Sequence, residues 1–117
     1  MGITLTAVFN QIDGLNIGDD VRIGGVVIGE VKNMTLGNKY SAVVLLQINH
    51  PVKLPKGTSA AIHTDGLFGG KYITLEPGGD EEYLASGGEI SMTQGSIVVQ
   101  DLLELIIGEA NSRRVQK

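Results

Sequence analysis

For most of the chain, apolar and polar positions alternate with a period of two. Ile3, Leu5, Ala7 and Phe9 fall on one face and Thr4, Thr6 and Val8 on the other, which predicts a strand from Ile3 to Phe9. Asn10 to Asp20 breaks the alternation with Asp13-Gly14 and Gly18-Asp19-Asp20, which are turn chemistry. Within it, Ile12, Leu15 and Ile17 are expected to pin the loop to a core. Val21-Arg22-Ile23 reads as a short strand, Gly24-Gly25 as a hairpin dipeptide, and Val26 to Leu36 as a longer strand with Gly29 a candidate bulge. After a turn at Gly37-Asn38-Lys39, Ser41 to Ile48 is apolar on both faces, as in a strand covered on both sides. Pro51 and Pro55 exclude a central strand over Asn49 to Gly57. Ala60 to Thr64 and Lys71 to Glu76 are two more strands, Pro77 to Glu82 is a solvated loop, and Glu89 to Met92 is a last short strand. Short strands, regular turns and no helical period before Gly95 predict an all-β barrel or sandwich.

The period then changes. Val99, Leu102, Leu103, Ile106, Ile107 and Ala110 recur at helical spacing and form one face. Ser96 suits the N-cap, Asp101 and Glu104 lie near the start, and Arg113 and Arg114 near the end, as a helix dipole prefers. Ile97, Val98 and Leu105 widen the apolar stripe beyond what packing on one barrel needs. A helix that closes the barrel and a helix that associates with its own copies both fit.

Between the strands ending at Thr64 and starting at Lys71 lies Asp65-Gly66-Leu67-Phe68-Gly69-Gly70. A hairpin loop is expected to be polar, yet this one carries two large apolar residues at its tip. Gly66, Gly69 and Gly70 frame them and let the backbone turn at positive φ. Leu67 and Phe68 either fold back under the domain as core or meet something outside it: another subunit, a membrane or an apolar ligand.

Composition narrows the classes. The chain has 117 residues, which suits one domain. Its 17 glycines are roughly twice the usual ~7%, in keeping with many turns. The net charge is −4 and the only basic cluster is the tail Arg113, Arg114 and Lys117, so nucleic-acid binding through phosphates is not expected. With no cysteine there is neither disulfide nor thiolate chemistry. No apolar run approaches the ~18 residues of a membrane span, and no signal peptide is recognisable. Met1-Gly2 leads straight into strand-like sequence, which fits a natural start or the loss of an N-terminal segment.

No catalytic, metal or cofactor constellation stands out. Gly24-Gly25-Val26-Val27-Ile28-Gly29 lacks the Lys-Ser/Thr of a phosphate-binding loop and runs into a strand. His50 and His63 have no second ligand at metal spacing. Asp65 is best read as a turn former, since general acid–base work needs a partner group that the sequence does not offer. An enzyme is not expected.

Thr64-Asp65-Gly66-Leu67-Phe68-Gly69-Gly70-Lys71-Tyr72-Ile73-Thr74-Leu75-Glu76-Pro77-Gly78 resembles the MCE (mammalian cell entry) domain, in particular the MlaD-like lipid-transport proteins of Gram-negative bacteria. The likeness covers most of the chain, through Thr6-Ala7-Val8-Phe9, Ile12-Asp13-Gly14-Leu15, Val21-Arg22-Ile23-Gly24-Gly25-Val26, Ile28-Gly29-Glu30-Val31 and Leu54-Pro55. Gly70 departs from it, standing where relatives often carry a larger polar residue. The resemblance implies a small seven-stranded barrel over 3–95, an amphipathic helix over 96–112 and a disordered basic tail over 113–117. It implies homohexameric rings in which Leu67 and Phe68 line a central hydrophobic pore for phospholipid. Val99, Leu102, Leu103, Ile106 and Ile107 would then associate with the same helix of neighbouring subunits. It also implies a periplasmic protein that an N-terminal helix, absent from this sequence, fixes in the inner membrane. Its partners would be the permease and ATPase subunits of an ABC transporter, and its role the upkeep of outer-membrane lipid asymmetry. The alternative is a non-transporting β-domain that docks a partner protein through the apolar loop.

Overall fold

The computed structural model describes residues 2–67, 69–90 and 92–96. The expected helix, with Val99, Leu102, Leu103, Ile106 and Ile107, and the basic tail lie outside the described residues, as does Phe68. Among the described residues there are eight strands: β1 (Ile3–Phe9), β2 (Asp20–Ile23), β3 (Val26–Leu36), β4 (Ala42–Ile48), β5 (Ser59–Thr64), β6 (Lys71–Glu76), β7 (Gly88–Ile90) and β8 (Met92–Gln94). A short 3₁₀ turn, Asn38–Tyr40, joins β3 to β4.

The strands form one sheet in the order β7-β1-β4-β3-β2-β6-β5-β8. Its two outer strands are consecutive in sequence. β7 pairs parallel with β1, Leu5 opposite Gly88, and β8 pairs parallel with β5, Ser59 opposite Met92. The chain from Gly88 to Gln94 thus changes partner part-way along. This yields one strand more than the seven expected and brings the sheet nearly into a closed barrel. The Thr93 hydroxyl donates to the Val8 carbonyl, and the Ser96 amide donates to the Gln11 carbonyl at 2.9 Å, holding β8 beside β1 and the loop after it.

The two-residue period fills the barrel. Leu5, Ala7 and Phe9 of β1 meet Val44, Leu46 and Ile48 of β4, Ile62 of β5 and Ile73 and Leu75 of β6, all buried. On β4, Val43 and Leu45 are half-buried on the other face, so both faces are partly covered. Leu15 and Leu54, from loops, are buried as well. Ile12 packs against the core, but Ile17 is exposed and does not pin its loop. The loop is held there by backbone: Gly18 donates to the Val31 carbonyl, and Val31 donates to the Asp19 carbonyl, each at 2.8 Å.

Two irregularities lie in β3. Opposite β2, Ile28 is the unpaired residue, since Val21 faces Gly29 and Arg22 faces Val27. Opposite β4 it is Lys32, between the Val31–Leu46 and Asn33–Leu45 pairs. An extra residue shifts the inward phase, so Val31 is buried and Met34 is the next side chain packed against the core. Gly29, the expected bulge, sits next to one of these irregularities and meets a different demand. A Cβ there would collide with the Gln47 carbonyl of β4. Gly24 and Gly25 turn β2 into β3 with φ of 57° and 85°, the left-handed pair that a tight hairpin of matching twist requires.

The registers also fix which loops share an end. Phe9 lies opposite Ala42, and β6 runs parallel to β2 with Ile73 beside Val21. The 10–19 loop, the β3–β4 turn and the β5–β6 hairpin therefore gather at one mouth of the barrel. The β2–β3 turn and the proline-containing 49–58 loop gather at the other.

Candidate functional site

The β5–β6 hairpin is built from its neck outward. Thr64 pairs with Lys71 as the last rung, and the Asp65 amide then donates to the Gly70 carbonyl at 2.9 Å. Beyond that closure lie residues 66–69. Gly66 has φ of 72°, a conformation that side chains resist. A Cβ at Gly69 would collide with the Asp65 carbonyl, so the loop can close this tightly only with glycine there. Gly70 has no atom within 4 Å of its would-be Cβ, so a larger residue fits without a clash. Of the three framing glycines, Gly66 and Gly69 are thus required by geometry and Gly70 is not.

Leu67 is 71% exposed. It does not fold back under the barrel, which removes the core reading for this residue. An apolar side chain presented to water by a glycine-framed hairpin is the feature a partner surface or an apolar ligand would cover.

The neck is held on both faces of the sheet. On the outer face, Arg22 of β2 donates through Nε and Nη2 to Asp20 Oδ2 at 3.2 and 2.9 Å, and Nη2 also reaches Asp65 Oδ2 at 3.3 Å. Its guanidinium carbon lies 4.1 Å from the centre of the Tyr72 ring, a cation–π contact, and that ring lies 5.9 Å from His63. The hydrogen bond to Asp20, followed by that to Asp65, holds the Arg22 guanidinium above the ordinary arginine range. On the inward-phased side, Lys71 Nζ donates to Thr64 Oγ1 at 2.6 Å. The Lys71 stem runs close beneath Gly14, where a Cβ would stand 3.1 Å from Lys71 Cγ. Gly14 itself turns at φ of 87°.

The site offers little for acid–base chemistry. Asp65 is engaged by Arg22, and His63 lies beside an aromatic ring. Among the described residues no group of three or more metal-ligating side chains comes together. A groove of about 550 Å³ runs over the outer face along β5, β6 and β8, lined among others by Ser59, Ala61, His63, Thr74, Glu76 and Met92, and it does not include Leu67. Among the described residues no helix is long and apolar enough to cross a membrane.

Sequence reasoning marked Leu67 at a glycine-framed turn and left open what covers it. It missed Arg22 and Tyr72 as supports. Arg22 and Asp65 are 43 residues apart, and they meet only because β2 lies parallel to β6. An arginine two residues after Asp20 on a short strand was the only local signal.

The fold and hairpin can now be set beside known proteins. The family described as MlaD protein matches residues 1–78. The chain belongs to the MlaD family. It is 40% identical over 105 residues to the intermembrane phospholipid transport system binding protein MlaD of Haemophilus influenzae, a match covering 86% of this chain and 63% of that protein. It is 37% identical over 110 residues to the protein of the same name from Escherichia coli K12, covering 86% of this chain and 58% of that protein. The chain thus spans about three fifths of the length of these MlaD relatives. A chain of the Acinetobacter MlaFEDB complex in an ATP-bound conformation shares the fold, with a TM-score of 0.83 at 23% identity, covering 90% of this chain and 81% of that one.

Proposed function

We propose that this MlaD-family chain is one subunit of a periplasmic homohexameric ring that binds phospholipids and passes them through a central apolar path. Leu67 and Phe68 of each copy line that path. The observation that carries the reading is the exposed Leu67, set at the tip of a hairpin whose glycines and neck contacts leave it in water in a single copy. Such a residue is stable in an assembly if copies of it converge and the acyl chain of a lipid supplies the rest of the apolar contact. The curated relatives, named as intermembrane phospholipid transport binding proteins, support the substrate class. The fold shared with a chain of the MlaFEDB complex supports work alongside the permease and ATPase subunits of an ABC transporter, in the service of outer-membrane lipid asymmetry. Attachment to the inner membrane through an N-terminal helix preceding this sequence, and association of the Val99, Leu102, Leu103, Ile106 and Ile107 stripe with its copies, complete the proposal. The chemistry is binding and passage, with no catalytic step.

The double variant Leu67→Asn with Phe68→Asn tests it. Folding and assembly are expected to persist while phospholipid transport in cells is lost; unchanged transport rejects the pore assignment. Light scattering tests the ring, since six copies of a 12.4 kDa chain give about 74 kDa, a closed cyclic assembly.

A second reading has its own observation. Leu36, at the end of β3, and Tyr40, on the turn that follows at the same mouth as the hairpin, are 72% and 87% exposed, so Leu67 is not alone in facing water there. A non-transporting module that docks a partner protein by this mouth would purify without phospholipid. Mass spectrometry of an organic extract separates the two.

A further inference from the structure

We propose that Arg22 is a positioning residue which, through Asp65, sets the angle of the β5–β6 hairpin and thereby the width of the lipid path. The inference rests on the pore reading above and adds to it the device that aims the loop. The hairpin's own ladder ends at the Asp65–Gly70 hydrogen bond, and the residues beyond include two glycines with no side chain to stiffen the backbone. The direction of the tip is therefore decided at the neck.

The neck has two legs, and each is tied to a different element. Asp65, on the outgoing leg, is tied across the outer face to Arg22 of β2 at 3.3 Å. Lys71, on the returning leg, bonds Thr64 and lies under Gly14 of the 10–19 loop. Arg22 is itself fixed before it reaches Asp65. Asp20 holds one edge at 2.9 Å, the Tyr72 ring lies against its face at 4.1 Å, and its side chain is only 21% exposed. A planar fork held at an edge and a face has little freedom left, so the carboxylate it grips inherits a fixed position. Asp65, by contrast, is 62% exposed in its side chain. Its amide closes on Gly70, but among the described residues only Arg22 bonds its carboxylate.

The test uses the full chain in its assembled form. The sequence has no cysteine, so Leu67→Cys offers a single attachment point for a nitroxide at the tip. Asp65→Asn keeps a turn-forming side chain and removes the charge that Arg22 holds; Arg22→Met keeps the stem and removes the fork. In either background the mobile fraction of the spectrum is expected to rise about two- to fivefold, the range of an exposed ion pair. Thermal midpoint and assembly mass should stay near those of the parent. In the same variants with Leu67 restored, transfer of a fluorescent phospholipid between vesicles is expected to fall.

An unchanged spectrum in both variants overturns the proposal, since the hairpin would then be aimed by something else. A mobile hairpin with normal lipid transfer also overturns it and leaves the pore reading standing. If the Leu67→Asn, Phe68→Asn variant transfers lipid normally, the pore reading itself falls, and the spectrum still reports whether Arg22 holds the loop.

Discussion

Leucine at two places in this fold should behave as two different residues. Leu46 is fully buried at the centre of β4, whereas less than a third of Leu67 is covered in the single chain. Complete burial of a leucine side chain is worth up to about 3 kcal/mol, so the partial cover at Leu67 limits Leu67→Asn to roughly 1 kcal/mol. Leu46→Ala loses the whole transfer term and leaves a cavity beside Leu5 and Val31, the residues opposite it on β1 and β3, at a cost of about 2–5 kcal/mol. In a domain of this size 1 kcal/mol moves the midpoint by about 3–6 °C. Thermal unfolding followed by circular dichroism should therefore place Leu67→Asn within about 6 °C of the parent and Leu46→Ala well below it. Protein concentration must be matched and varied, because association raises the apparent midpoint. If hairpin tips meet in an assembly, the gap between Leu67→Asn and the parent should widen as concentration rises. An equal loss at Leu67 and Leu46 at the lowest concentration would refute the reasoning, because the tip would then pack on its own barrel.

Other expectations follow from single contacts. Gly69→Ala should destabilise by about 1–3 kcal/mol, because its Cβ meets the Asp65 carbonyl, while Gly70→Ser should change stability by less than about 0.5 kcal/mol; chemical denaturation separates them. Thr58 is buried, and its hydroxyl donates to the Pro55 carbonyl at 2.6 Å, so Thr58→Val should cost about 1 kcal/mol or more in the same assay and loosen the loop between β4 and β5. Lys56 donates to Glu82 at 2.8 Å, and this bond holds its pKa above the ordinary 10.5. A raised cation pKa stabilises the fold fully below the ordinary value and fades as pH climbs through the folded one. The small midpoint difference between the parent and Lys56→Met should accordingly be constant at neutral pH and vanish in strong alkali.

Much of the barrel was legible because its signals are local. The alternation in Ile3 to Phe9 and the Gly24-Gly25 pair correspond to a strand with buried Leu5, Ala7 and Phe9 and to a left-handed turn. In the 65–70 hairpin the glycines announce the turn, whereas the exposure of Leu67, left open by the sequence pattern, is settled only by the structure. What was hidden depends on register. Ile28 and Lys32 become the unpaired residues of β3 because two different neighbours contact it, and no single-strand pattern carries that information. The switch of partner near the end of the sheet is hidden for the same reason. Ile17 read as core because it is apolar, yet backbone bonds at Gly18 and Asp19 hold its loop without it. Beyond Asp20, nothing local marks Arg22, which gains Tyr72 and Asp65 as neighbours only because β6 lies beside β2.

The change of partner between β7 and β8 has a consequence for how the protein is made. The segment that seals β1 to β5 is the last part of the sheet to leave the ribosome. Until then β1 and β5 each present an open edge, the kind of template on which strands from other chains pair. Cross-chain mispairing should therefore track how long residues 88–94 stay unpaired, and a chain ended before Gly88 should aggregate more than one ended after Gln94.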